Sequence, residues 1–204
     1  QYTDSARIVF DDTSAGGNSV TLNQTVYPTS VTISSNVNNF TISGGGGISG
    51  PGMLIKQGLS TVTISTSNTY TGATLVNGGV VTLASNGLIS SGTVTVVSGA
   101  TMNVDGALAP TTTVNANGTV NFGGSTSASV LNLIIDALNV GGGVTVTVTA
   151  SSFASTPAIF HPTILSFADP SARLNLTNNE LIYSGTATSA KAQIGAGQAF
   201  VLVE

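Results

Sequence analysis

Apolar residues in this chain recur in short alternating runs. In Thr61-Val62-Thr63-Ile64-Ser65 every second side chain is apolar, which sends Val62 and Ile64 to one face of a strand and three hydroxyls to the other. Residues 144–149 repeat the pattern as Val-Thr-Val-Thr-Val-Thr. No window shows the three- and four-residue apolar spacing of a helix between a cap and a terminating Gly. The alternation predicts strands at residues 8–10, 19–22, 30–34, 40–43, 53–56, 61–65, 73–76, 80–84, 93–97, 101–104, 111–115, 119–122, 130–135 and 144–149.

Such closely spaced short strands fit a sandwich or barrel of hairpins, or a solenoid with several strands per coil. Turn chemistry separates the two. Two-residue hairpins want Asn-Gly between strands of normal length, yet Asn77-Gly78 has only Val76 before it and Gly79 after it. A parallel solenoid needs a tight corner after each short strand, and the expectation is that Gly or Asn occupies a left-handed conformation there. The predicted fold is therefore all-β, a right-handed parallel β-helix over residues 1–150. Outward Thr on successive coils would stack in ladders.

The pattern changes near residue 150. Residues 151–170 contain Pro157, Pro162 and Pro170 with Phe153, Phe160 and Phe167, and proline is poorly suited to the interior of a ladder. This predicts a crossover or cap, followed by last strands at 173–177, 180–183 and 199–203. Residues 151–204 are thus expected to cap the solenoid or dock onto a neighbour.

Composition narrows the surface chemistry. Charged residues are 6% of the chain, against about 25% in an average soluble domain. No apolar run reaches the length of a spanning helix, because the longest, such as 130–138, are interrupted by Asn132 and Asp136. A membrane barrel would want aromatic girdles, whereas the chain has no Trp and only 4 Tyr. Hydroxyls and amides must cover most of the surface, and a formal net charge of −4 gives weak repulsion between copies. The cations Arg7, Lys56, Arg173 and Lys191 are scattered, which argues against nucleic-acid binding. Thr, Ser, Asn and Gly richness with few Lys and Glu points to an extracellular or bacterial cell-surface location. A chain starting at Gln1 is expected to be a mature form or a fragment.

Residues 50–84 carry the densest motif. Leu54, Lys56 and Gly58 are followed by Thr61-Val62-Thr63-Ile64, then by Asn68-Thr69-Tyr70-Thr71-Gly72, and finally by Asn77, Gly78, Gly79, Val80 and Leu83. This series resembles the autotransporter-associated β-strand repeat, in which Leu-x-Lys-x-Gly, Thr-Leu-Thr-Leu, Asn-Thr-Tyr-Thr-Gly and Gly-Gly-x-Leu-x-Leu follow one another. The resemblance is strong over residues 7–88 and looser to about residue 150. It implies a parallel β-helix in a secreted or surface-exposed passenger. Family members usually carry many copies; one clear copy here implies a small subunit that extends by stacking on others.

Candidate chemistry is sparse. Asp11 and Asp12 are the only adjacent acids, and neighbours on a strand point to opposite faces, so the pair reads as a turn rather than a catalytic or calcium site. His161, between Phe160 and Pro162, has no triad partners and reads as structural. Neither 44–47 nor 141–143 has the Lys-Ser/Thr of a phosphate loop. Lys56 is expected on an outer face or bonded to corner carbonyls. Tyr70 is expected to set a corner, with a sugar-stacking platform as the sharper alternative. Four Asn-x-Ser/Thr sequons, at Asn23, Asn39, Asn117 and Asn175, are expected by chance in so Asn- and Thr-rich a chain. No catalytic residue, metal ligand or cofactor is expected.

The expected function is structural: a subunit whose copies stack head-to-tail into a fibre, with Ile8, Val9 and Phe10 at one end or Phe200, Val201, Leu202 and Val203 at the other as assembly strands. The chief partner is then the protein itself, with cell-surface or matrix glycans as a further one. The alternatives are an adhesin or passenger fragment of a larger surface protein, and a carbohydrate-binding or carbohydrate-active β-helix.

Overall fold

The computed structural model describes residues 2–13, 17–123, 132–149, 159–177, 180–183 and 200–202. These residues form strands, turns and bends, with no helix among them. The strands build a parallel β-solenoid of three faces. The first face is a ten-stranded sheet: β1 (Arg7–Asp11), β3 (Ser30–Ser34), β5 (Met53–Gln57), β8 (Thr74–Val76), β11 (Thr93–Val96), β14 (Thr113–Ala116), β16 (Asn132–Val140), β18 (Ile159–Phe167), β20 (Glu180–Tyr183) and β21 (Phe200–Leu202), in that order. The second is eight-stranded: β2 (Ser19–Thr21), β4 (Phe40–Ser43), β6 (Thr61–Ile64), β9 (Val80–Leu83), β12 (Thr101–Val104), β15 (Thr119–Phe122), β17 (Thr145–Val148) and β19 (Arg173–Asn175). The third, short face stacks β7 (Ser67–Asn68), β10 (Leu88–Ile89) and β13 (Ala107–Leu108), and a parallel bridge from Val26 to Ile48 begins it one step earlier.

Alternation within each strand becomes columns across strands. On the ten-stranded sheet Val31, Leu54, Thr74, Val94, Val114, Leu138 and Leu165 stack inward, each directly over the next. On the facing sheet Phe40, Val62, Val81, Met102, Val120, Val146 and Leu174 do the same. All of these are buried. Full burial of one Val or Leu side chain stabilises by about 1.5–3 kcal/mol, so each added coil extends the core by several such increments. The outward positions of the eight-stranded sheet hold hydroxyls and amides in register, Thr41 on Thr63, Thr63 on Thr82, then Asn103 and Asn121. Asn121 Nδ2 donates to Asn103 Oδ1 at 2.9 Å, which links successive coils through a side-chain amide.

Two expectations are corrected. Residues 159–167 are not a crossover; they form β18, paired with β16 over nearly its whole length. Buried Pro162 stacks on Ile135, while the pairing of β18 with β20 involves Ile159 and Phe160, which leaves the missing proline N–H outside that ladder. Phe160 is a core residue stacked on Phe122 at a centroid distance of 5.3 Å, Phe167 is half-buried, and Phe153 lies outside the described residues. The inward alternation slips by one place at Ala137-Leu138 in β16, and β18 slips at Thr163-Ile164, one residue before the paired Ile164-Leu165. A shift of alternation in one strand is therefore matched in the next.

The second correction concerns the corners. Among the described residues no Asn has a positive φ; the left-handed positions are glycines, apart from Ser5 and Thr177. Gly58 (φ 71°) and Gly79 (φ 62°) fill equivalent corners of neighbouring coils. A Cβ at Gly58 would lie 2.2 Å from the Ser35 carbonyl oxygen, and one at Gly79 would lie 2.3 Å from that of Ser60. Asparagine serves the corners through its side chain instead: Asn36 Oδ1 accepts from Leu59 N–H at 3.2 Å, and Asn39 Oδ1 from Thr61 N–H at 2.8 Å.

These contacts predict unequal glycine tolerance. Gly79→Ala combines a left-handed backbone with a carbonyl clash and should destabilise by more than the ~1–2 kcal/mol of the backbone effect alone. Gly92→Ala meets nothing within 4 Å and has no positive φ, so it should fall within about 0.5 kcal/mol of the parent in urea unfolding.

Candidate functional site

The motif at residues 54–79 lies mostly inside the solenoid. Lys56 occupies an inward position of β5, stacked between Ile33 and Val76, and is 1% exposed. Its stem fills an apolar column, and its ammonium reaches the corner, where Nζ donates to the Gln57 carbonyl at 2.7 Å, to Gly58 at 3.0 Å and to Gly78 at 3.5 Å. Of the two positions expected for this lysine, the carbonyl-bonded corner is the one found. Leu54, one inward position earlier, is fully buried. Gly58, Gly78 and Gly79 form the corner itself, and exposed Asn77 donates its backbone N–H to Lys56 O at 2.8 Å.

Asn68 is 1% exposed and uses its whole amide. Oδ1 accepts from Ile48 N–H at 3.0 Å and from Thr66 Oγ1 at 3.1 Å; Nδ2 donates to Thr66 O at 2.9 Å and to Leu88 O at 3.1 Å. One side chain thereby joins three consecutive coils. Tyr70 is also 1% exposed, so the sugar-platform reading does not hold for it. Its hydroxyl lies 2.6 Å from Thr74 Oγ1, and burial pushes the phenol pKa far up, so the ring stays neutral. Gly72 closes this corner against Gly52, whose carbonyl oxygen would be 2.3 Å from a Cβ, and accepts at its own carbonyl from Ser91 Oγ at 2.8 Å.

The acidic pair divides its work as the strand geometry requires. Asp11 caps its own turn by accepting from Thr13 N–H at 3.0 Å. Asp12 points to the next coil, accepting from the backbone N–H groups of Asn36, Val37 and Asn38 and from the Ser35 hydroxyl. These donors, the Asn36 N–H foremost and then Ser35 Oγ, hold its carboxyl well below the usual carboxylate range. His161, in β18, pairs with Ile134. No group of three or more His, Cys, Asp or Glu side chains placed to hold a metal occurs among the described residues.

Among the described residues no strand stacks beyond the first coil. A hollow of about 610 Å³ lies there, lined by inward Ile8, Phe10, Val20, Leu22 and Val26 of that coil and by Val31, Ile42 and Ile48 of the next. The first-coil residues are half-buried, whereas their counterparts one coil on, Val31, Ile33 and Ile42, are buried. Of the proposed assembly strands, Ile8, Val9 and Phe10 form β1, the outer strand at one edge of the ten-stranded sheet, with Val9 55% exposed. Phe200, Val201 and Leu202 form β21 at the opposite edge, parallel to β20. Val203 lies outside the described residues.

Sequence reasoning placed the polar motif residues at corners and missed how far inside they sit. The parity of β5 carries the missing signal: Leu54 and Lys56 are two residues apart and must share a face. The hollow is lined by residues of two coils together, so no single stretch of sequence signals it.

Folding disfavours the charged form of buried Lys56 and favours that of exposed Asp12. Desolvation lowers the Lys56 pKa in the folded state, so the unfolded chain binds more protons as pH approaches the ordinary 10.5, and stability should rise with pH in the window below that value. Lys56→Met keeps the column filled but strands the corner carbonyls; urea titration should show a loss of about 1–3 kcal/mol at neutral pH and no alkaline rise. Asp12 behaves in the opposite sense: its stabilisation is present above the unfolded value of 3.8 and is lost as pH falls through the lower folded one. Asp12→Ala should therefore speed amide exchange at Val37 and Asn38 at neutral pH, with the difference from the parent closing in strong acid.

Comparison of the chain with protein-family models, with curated proteins and with solved structures finds no match.

Proposed function

We propose that this protein is a structural subunit, secreted or displayed at a cell surface, whose copies stack head-to-tail along the solenoid axis. The observation that supports this reading is the apolar hollow at the first described coil. Apolar side chains of the first coil line a hollow, beside β1, which among the described residues pairs on one side only. Free parallel edges with apolar residues behind them are templates for adding another chain.

The two edges of the ten-stranded sheet fit this arrangement. Because neighbouring strands throughout that sheet are parallel, β1 of one copy can follow β21 of another by translation along the axis, with no reversal of strand direction. A contact of this kind is heterologous, and heterologous contacts that do not close into a ring produce filaments. Weak surface charge removes the long-range repulsion that would oppose it.

Negative-stain electron microscopy and sedimentation of the purified chain test this reading. Filaments or concentration-dependent oligomers are expected, and Leu22→Arg, which puts a charge into the hollow, should abolish them while leaving the circular dichroism and melting temperature near those of the parent. A chain that stays monomeric at high concentration, or a Leu22→Arg variant that assembles as well as the parent, would sink the proposal.

A further inference from the structure

We propose that the outer face of the ten-stranded sheet, between β11 and β18, carries a binding groove for a neutral saccharide. The groove shares no lining residue with the hollow at the first coil. It has a volume of about 250 Å³. Its spine is one outward column, Thr95, Asn115, Asn139 and Ser166, stacked in register over four coils.

The column is polarised. Asn139 Nδ2 donates to Asn115 Oδ1 at 2.8 Å, and Asn115 Nδ2 makes a long contact of 3.5 Å to Thr95 Oγ1. The amides thus all point their donors toward the N-terminal coils. Asn139 Oδ1, at the other end of the run, remains an acceptor beside the Ser166 hydroxyl, which can donate and accept. A second polar group comes from the next outward column. Asn117 lies over Gly141, where a Cβ would come within 2.7 Å of Asn117 Oδ1. The missing side chain at Gly141 opens the groove, and the Asn117 amide borders it.

No ionisable residue lines this space, so it offers nothing to attract a charged ligand over water. It offers amides and hydroxyls at a regular spacing of about 4.8 Å, the distance between neighbouring strands. Sugar hydroxyls are matched donors and acceptors for such groups, and the repeated spacing suits a chain of rings better than one small molecule. With no aromatic platform, affinity per site is expected in the millimolar range, rising when many copies are displayed together.

Isothermal titration calorimetry with soluble neutral oligosaccharides of glucose, N-acetylglucosamine and mannose tests this, with hydrogen-exchange mass spectrometry to locate the contact. At least one should bind and protect amides near Asn115, Asn117, Asn139 and Gly141. Asn139→Val, which retains strand propensity, should weaken it by about 10-fold. Asn121→Val, in the amide pair of the opposite sheet, should leave it unchanged. If Asn139→Val melts early, Ser166→Val at an exposed position serves in its place. No binding by any of the three sugars, protection elsewhere on the chain, or unaltered affinity in the column variants overturns the proposal. The calorimetry is read the same way for monomers and for filaments, so failure of the stacking reading leaves this test intact.

Discussion

Parallel in-register stacking is the constraint on which the rest of this structure depends. A residue here has two decisive neighbours, its counterparts one coil before and one coil after. Apolar residues extend an apolar column, and hydroxyls or amides extend a polar one. A shift of inward alternation in β16 is matched in β18, which keeps the two strands in register. Left-handed glycine at one corner recurs at the next, as at Gly58 and Gly79. The rule also sets the standard for a polar residue in an inward column: it must satisfy its hydrogen bonds within the few groups that one corner provides.

Lys56 and Asn68 show how that standard is met. A buried ammonium is costly unless donors find acceptors. Lys56 avoids this by spending its stem inside and its charge on carbonyls left free where β5 turns away. Asn68 does so by matching both donors and both acceptor directions of its amide to backbone and hydroxyl groups on adjoining coils. Replacing either by an apolar residue would fill space but leave corner groups without partners. The motif at residues 54–79 is therefore a set of interior fasteners more than a surface signature.

The elements with clear period were legible in the sequence. β3, β4, β12 and β15 occupy the expected residues, and β6, β9 and β11 differ only at an end, because Thr-Val-Thr-Val alternation has few alternatives to a half-buried strand. β7, β10 and β13 were not legible, since two residues carry no period. β18 was hidden by Pro162: the rule against proline in ladders holds only where the missing N–H faces a partner. The interior placement of Tyr70 was hidden by its polar neighbours, Thr69 and Thr71, which are exposed on either side of it. Features made by several coils together, the hollow and the groove, lie beyond any reading along the chain.

Asn68 has a consequence for how the chain acquires its shape. Contacts in a solenoid join residues about one coil apart, so structure spreads from whichever coil forms first, without a single distant closure. A side chain that binds the coil before and the coil after needs all three in place before its amide is satisfied. It rewards the central coils for forming together and does nothing for the first coil in isolation. Folding that begins around Asn68 therefore spreads outward from the central coils and completes the first coil late.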